Sequence, residues 1–133
     1  MANEGAPRAR ARQLAAVVAI LFGLASLWAG GGVLAGRDPG YLVHRPLVVF
    51  NTLMGLVYVG AGVLAWRRAR ADRAVAAGIV GANLLVLAYV VYLHRSGGGA
   101  AIDSVRAMVL RTGVWLVVLF LLMWARRAPR DAA

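Results

Sequence analysis

Cysteine and lysine are both absent from this 133-residue chain. The first absence excludes disulfides, thiolate metal sites, iron–sulfur clusters and cysteine nucleophiles. The second excludes lysine Schiff-base chemistry. Acidic residues are scarce, five against fifteen arginines, and there are only two histidines. No phosphate-binding loop, serine-hydrolase elbow or HExxH zinc motif occurs. The long apolar runs hold no Asp, Glu, Lys or His, so they lack the titratable relay that a proton-coupled transporter needs. Together these absences predict a protein that is not an enzyme and leave its cofactor, if any, unspecified.

What the chain has in abundance is apolar residues, 62% of the total. A soluble domain this short could not bury so much, so lipid must act as part of the solvent. Four runs are each close to the roughly 20 residues that a bilayer-crossing helix needs: Leu14–Leu34, Leu47–Trp66, Ala74–Leu93 and about Ala107–Trp124. Backbone facing lipid must satisfy its own hydrogen bonds, so these runs predict helices and the chain an all-α membrane protein, one four-helix bundle domain.

The net charge of +10 would suggest nucleic acid in a soluble protein. Here topology explains it better, and no nucleic-acid partner is expected. Arg8, Arg10 and Arg12 precede the first span. Arg67, Arg68, Arg70 and Arg73 fill the link between the second and third, and Arg126, Arg127 and Arg130 follow the fourth. Ten of fifteen arginines thus share one side, which the positive-inside rule makes cytoplasmic, with both termini there. Trp66 and Trp124 sit just before arginine pairs, as interfacial anchors do. The first span is longer than a signal-peptide core, which favours a retained helix over a cleaved one.

Small residues predict where helices meet. Ala15, Ala19 and Gly23 recur every four residues, as do Ala74, Gly78 and Ala82, and Gly55 and Gly62 lie a heptad apart. Leu116 to Met123 is bulky all round and suits lipid or a partner protein. Phe50-Asn51-Thr52 aligns with Leu110-Arg111-Thr112, which points to two similar helical hairpins.

Arg111 is the ionisable residue inside the spans, and an arginine there is a functional-site candidate by default. Asn51, Thr52, Tyr89 and Tyr92 fall at similar depth, Thr112 adjoins it, and Asn83 lies deeper. The outward loops and helix ends carry Arg37, Arg45, Arg95, Arg106 and Arg111 against only Asp38 and Asp103. Two readings follow. Either Arg111 snorkels outward or pairs with Asp103 or Asp38 and pins the helices, or Arg111, Asn51, Arg106, Tyr89 and Thr112 receive an anionic or carbonyl-bearing ligand such as a lipid headgroup or a quinone. Ser26 reads as helix packing. Asp103 or Ser104 is expected to cap the fourth helix. His44 and His94, with Asp103, Asp38 or Met108 as further ligands, form an alternative metal or haem site, although no HxxxH-type spacing supports it.

Asn51-Thr-Leu-Met54-Gly55 with Tyr58 and Gly62, then Gly98-Gly99, then Ser104-Val105-Arg106-Ala107-Met108 with Arg111 and Trp115, resemble a group of small four-span bacterial membrane proteins. The resemblance spans the middle and end of the chain. It implies a compact bundle in a bacterial inner membrane and supplies no activity. The expectation is a non-catalytic accessory or oligomeric subunit, partnered by lipid and by a larger membrane complex or its own copies. The alternative is a haem-, metal- or quinone-binding module at His44 and His94. A channel or transporter ranks last.

Overall fold

The computed structural model describes residues 5–41, 43–97 and 101–126. Gly98, Gly99, Arg127 and Arg130 of the sequence reading lie outside them. Among the described residues the architecture is all-helical: α1 (Gly5–Leu34), α2 (Arg45–Trp66), α3 (Asp72–Arg95) and α4 (Ile102–Arg126). All four are long and apolar enough to cross a membrane.

The helices outrun the apolar runs. α1 begins nine residues before Leu14, because Ala, Arg and Gln are strong helix formers whatever their polarity. Its 30 residues span about 45 Å, against about 30 Å of bilayer hydrocarbon. α2 starts after His44, with Pro46 in its first turn, where a missing N–H does no harm. α4 starts at Ile102, so Asp103 and Ser104 sit inside its first turn rather than capping it; Asp103 still places its charge at the positive end of the helix dipole. Gly97, just past the Ser96 C-cap of α3, takes a φ of 74°, the left-handed stop that glycine adopts without strain.

α1 lies chiefly against α2 and α3 against α4; α1 also packs on α4, while α2 meets α3 only lightly. The α1–α2 contact is backbone on backbone. A Cβ at Gly23 would sit 2.7 Å from the Gly55 carbonyl oxygen, and one at Gly62 would sit 2.9 Å from that of Ala16. Ala15, Ala19 and Gly23 are buried in this seam, as the four-residue spacing predicts.

The second small-residue stripe does not behave that way. Ala74 and Gly78 are exposed, and a Cβ at Gly78 would meet nothing within 4 Å. α3 instead turns Asp72, Ala76, Ile79, Val80, Asn83 and Val90 inward. Asp72 has its ionic partners inside the bundle (below). At 100° per residue that choice carries Ala76, Ile79 and Asn83 inward with it and rotates Ala74 and Gly78 away.

The larger core cluster, around Tyr58, Trp115, Val118 and Leu122, fills the middle of the bundle and the end that carries the α2–α3 link. We call this the link end. Towards the opposite, loop end the core thins to Leu47, Val90 and Met108. The outer surface is strongly apolar: Trp28 and Leu85 are each 75% exposed, Phe120 66% and Leu110 61%. Water would not tolerate such a continuous surface, and lipid does. In α4, Val118 and Leu122 turn inward while Leu116, Val117, Phe120 and Met123 face out.

Candidate functional site at the loop end

Two arginine sites mark the ends of the bundle. At the link end Asp72 is fully buried between two arginines. Arg12 Nη1 of α1 donates to its Oδ2 at 2.5 Å, and Arg126 Nε of α4 lies 3.4 Å from its Oδ1. Arg126 Nη2 also donates to the carbonyls of Ala69 at 2.5 Å and Arg68 at 3.3 Å, and Arg68 holds a positive φ of 57° in the link. Three helices and the link are thereby clasped by charge. The sequence reading missed this cluster. The available signal was Asp72 itself, the one acidic residue in the arginine-rich link.

At the loop end Arg111 has no such partner. Its Nη1 donates to Ser26 Oγ of α1 at 2.9 Å, and Ser26 in turn donates to the Phe22 carbonyl at 2.8 Å. The guanidinium also stacks 5.6 Å above the Phe22 ring. Ser26 lies eight residues short of the end of α1, about 12 Å along the helix. Arg111 therefore reaches sideways across the bundle instead of snorkelling outward. Neither expected carboxylate meets it. Asp38 accepts the Gly40 N–H within its own loop, and Asp103 faces Arg106 at 3.9 Å on the exposed side of α4. Ser26, read from sequence as mere packing, is the residue that holds the arginine.

Beside Arg111 a cavity of about 280 Å³ opens between α1, α2, α4 and the first loop. Arg37, Tyr41, Asn51 and Arg111 supply its polar lining, and among the described residues no acidic side chain lines it. Arg37 Nη2 donates to the carbonyls of Trp28 and Ala29, both at 3.1 Å, which anchors the side chain over the end of α1. A smaller pocket of about 40 Å³ adjoins it through Tyr41, Val48, Asn51 and Ala107, and reaches His44 and Ser104. Three buried atoms here have no hydrogen-bond partner: Arg111 Nε, Asn51 Oδ1 and His44 Nε2. Asp72 Oδ1 and Arg126 Nε at the link end and Asn83 Nδ2 and Trp115 Nε1 in the core are left likewise, but these three belong to residues that line the two cavities, where a ligand's polar groups have room to meet them.

The remaining candidates divide. Asn51 joins Arg111 on the cavity wall. Thr112 and Thr52 each bond back to a carbonyl of their own helix, Met108 at 2.8 Å and Val48 at 2.7 Å. Tyr89 is half exposed and its ring sits 6.1 Å from that of His44; Tyr92 is exposed. Arg106 is exposed on the outer side of α4. Asn83 belongs to the mid-bundle core, where it accepts a 3.0 Å bond from Tyr58 Oη, whose ring packs 4.9 Å from Trp115. His94 is exposed at the end of α3, whereas His44 is half-buried at the start of α2. Among the described residues no three His, Cys, Asp or Glu side chains gather as metal ligands.

No family model, no curated protein and no solved structure matches this chain. What the geometry shows is a bundle of four helices long and apolar enough to cross a membrane, with a cavity at one end whose polar lining comes from Arg37, Tyr41, Asn51 and Arg111.

Proposed function

We propose that the chain is a small non-catalytic, multi-pass protein of a bacterial inner membrane. It acts as an accessory or self-associating subunit, with both termini cytoplasmic and the Arg111 cavity on the outer side. The charge count of the flanks supports this orientation. The single observation that carries the subunit reading is the outward stripe of α3. Ala74, Ala77, Gly78 and Gly81 are all exposed, and neither glycine has an intramolecular neighbour within 4 Å of a Cβ. Small residues on a lipid-facing surface let a second helix approach closely, which is what drives helix association where hydrophobicity cannot. A duplicated hairpin is supported by the matching positions of Asn51 and Arg111 on one cavity and by the matching back-bonds of Thr52 and Thr112.

The test is the mass of the protein extracted from its membrane in a mild detergent, alone and as the Gly78→Leu, Gly81→Leu double variant. A complex or oligomer that the variant dissociates, with helicity unchanged, is the expected result. A monomer without partners overturns the reading. Fusions of alkaline phosphatase and a fluorescent protein at the two loops and the α2–α3 link test the orientation.

A second reading, a haem, metal or quinone module, has one observation in its favour: the unpartnered His44 Nε2 beside the smaller pocket. That pocket has room for a water or a small ion. A Soret band or stoichiometric metal that disappears in His44→Ala and His94→Ala moves the weight to it.

A further inference from the structure

We infer that the loop-end cavity is the headgroup site of a tightly held anionic phospholipid, whose acyl chain lies in an apolar groove between α1 and α4. This deepens the reading above and rests on it only for the leaflet involved. The groove, about 520 Å³, is lined by Val18 of α1 and by Val109, Leu110, Gly113, Val114 and Val117 of α4. On α4 it starts at Val109, two residues before Arg111, and runs about 12 Å towards the link end. On α1 the sequence Val18, Phe22, Ser26 rises along the same side, from groove wall to the ring under Arg111 to its hydroxyl partner. The cavity and the groove share no lining residue but follow one another along α4: Ala107 and Arg111 line the cavity, and Leu110 and Val114, three residues on from each, line the groove, so a cationic headgroup site and an apolar trough lie side by side as the two halves of an amphiphile require.

Charge complementarity selects the headgroup. Arg37 and Arg111 line the cavity and no carboxylate does. Arg111 keeps a buried Nε donor without an acceptor. A phosphate oxygen supplies that acceptor and the counter-charge together, and an arginine fork is well shaped for phosphate. A zwitterionic lipid brings its own cation into an already positive site and binds less well. The adjacent arginine Arg106 lies outside the cavity and does not take part.

Tryptophan fluorescence tests this in phosphatidylcholine vesicles containing a minor fraction of either brominated phosphatidylglycerol or brominated phosphatidylcholine. Trp66→Phe and Trp124→Phe leave Trp28, which Arg37 overhangs at 5.7 Å, and the buried Trp115. The expected result is that phosphatidylglycerol quenches Trp28 with about fivefold higher relative affinity, the scale of one arginine–lipid charge contact. Arg111→Gln brings the ratio near one, and Arg106→Gln leaves it unchanged. Gly113→Leu, whose Cβ meets no neighbour within 4 Å, fills the groove without touching the core and lowers the ratio at unchanged thermal stability. It also keeps the test decisive should Arg111→Gln misfold. A ratio of one in the parent protein overturns the proposal. So does a preference that Arg106→Gln abolishes, or one that inorganic phosphate removes and Gly113→Leu does not alter, which marks a soluble-anion site. The Gly78→Leu, Gly81→Leu variant is expected to lose assembly with its lipid ratio intact, so failure of the subunit reading and failure of the lipid site are distinguishable.

Discussion

The two ends of the bundle treat arginine in opposite ways. At the link end Arg12 and Arg126 converge on one buried carboxylate, and the core beneath is dense. At the loop end Arg111 is held by a hydroxyl and an aromatic face, and the core thins into a cavity. A charge neutralised inside the protein is a fastener. A charge left with neutral partners beside open space keeps part of its electrostatic demand for something else. Similar residue chemistry is therefore neutralised at one end and left beside open space at the other, and the difference lies in a single aspartate.

Breaking that aspartate is expected to have the largest effect. Asp72→Ala leaves two arginines clustered without their counter-ion and lowers stability by about 3 kcal/mol, read from thermal unfolding in mild detergent. Recovery of most of that loss in an Asp72→Ala, Arg12→Met double variant shows that the loss comes from uncompensated charge. Full loss in the double variant points to packing instead. Next in size is Gly23→Leu. Its Cβ collides with the Gly55 carbonyl and the Val59 backbone nitrogen, at 2.7 and 2.8 Å, so α1 and α2 must separate, at about 2 kcal/mol. The matched change Gly78→Leu is expected to have no effect on the stability of the isolated chain, because that position faces outward.

Tyr58→Phe removes the hydroxyl that Asn83 accepts and leaves that amide wholly unpartnered, since its Nδ2 has no partner already. About 1 kcal/mol is expected, given the modest worth of hydrogen bonds within membrane bundles. A further small effect sharpens the comparison most. Arg111→Met is expected to change stability by no more than about 1 kcal/mol, and with either sign, because no ion pair is lost and the desolvation of a charge is relieved. A loss as large as that of Asp72→Ala would make Arg111 a fastener too and erase the distinction between the ends.

Much of this was legible in the residues. The four apolar runs and their arginine flanks follow from hydropathy alone, and so does the anomaly of Arg111. The partners of its guanidinium were not legible. Ser26 is 85 residues away along the chain and has nothing in its local sequence to separate it from a packing serine. The face of α3 was misread for a related reason. A helix that is apolar all round carries little periodicity to tell inside from outside, so small-residue spacing alone pointed to Ala74 and Gly78. The rotation observed instead places Asp72 against its arginines and leaves Ala74 and Gly78 outside.

The sequence by itself determined the solvent, the number of spans and the expected orientation, because transfer of long apolar runs into lipid and charge at their flanks are local properties that add along the chain. Tertiary structure alone decided which arginine is neutralised, which small residues meet and where polar atoms are left without partners. Those outcomes depend on how each helix is rotated about its axis, and that rotation is set by contacts between residues far apart in the chain: Arg12 with Asp72, Gly23 with Gly55, and Arg111 with Ser26.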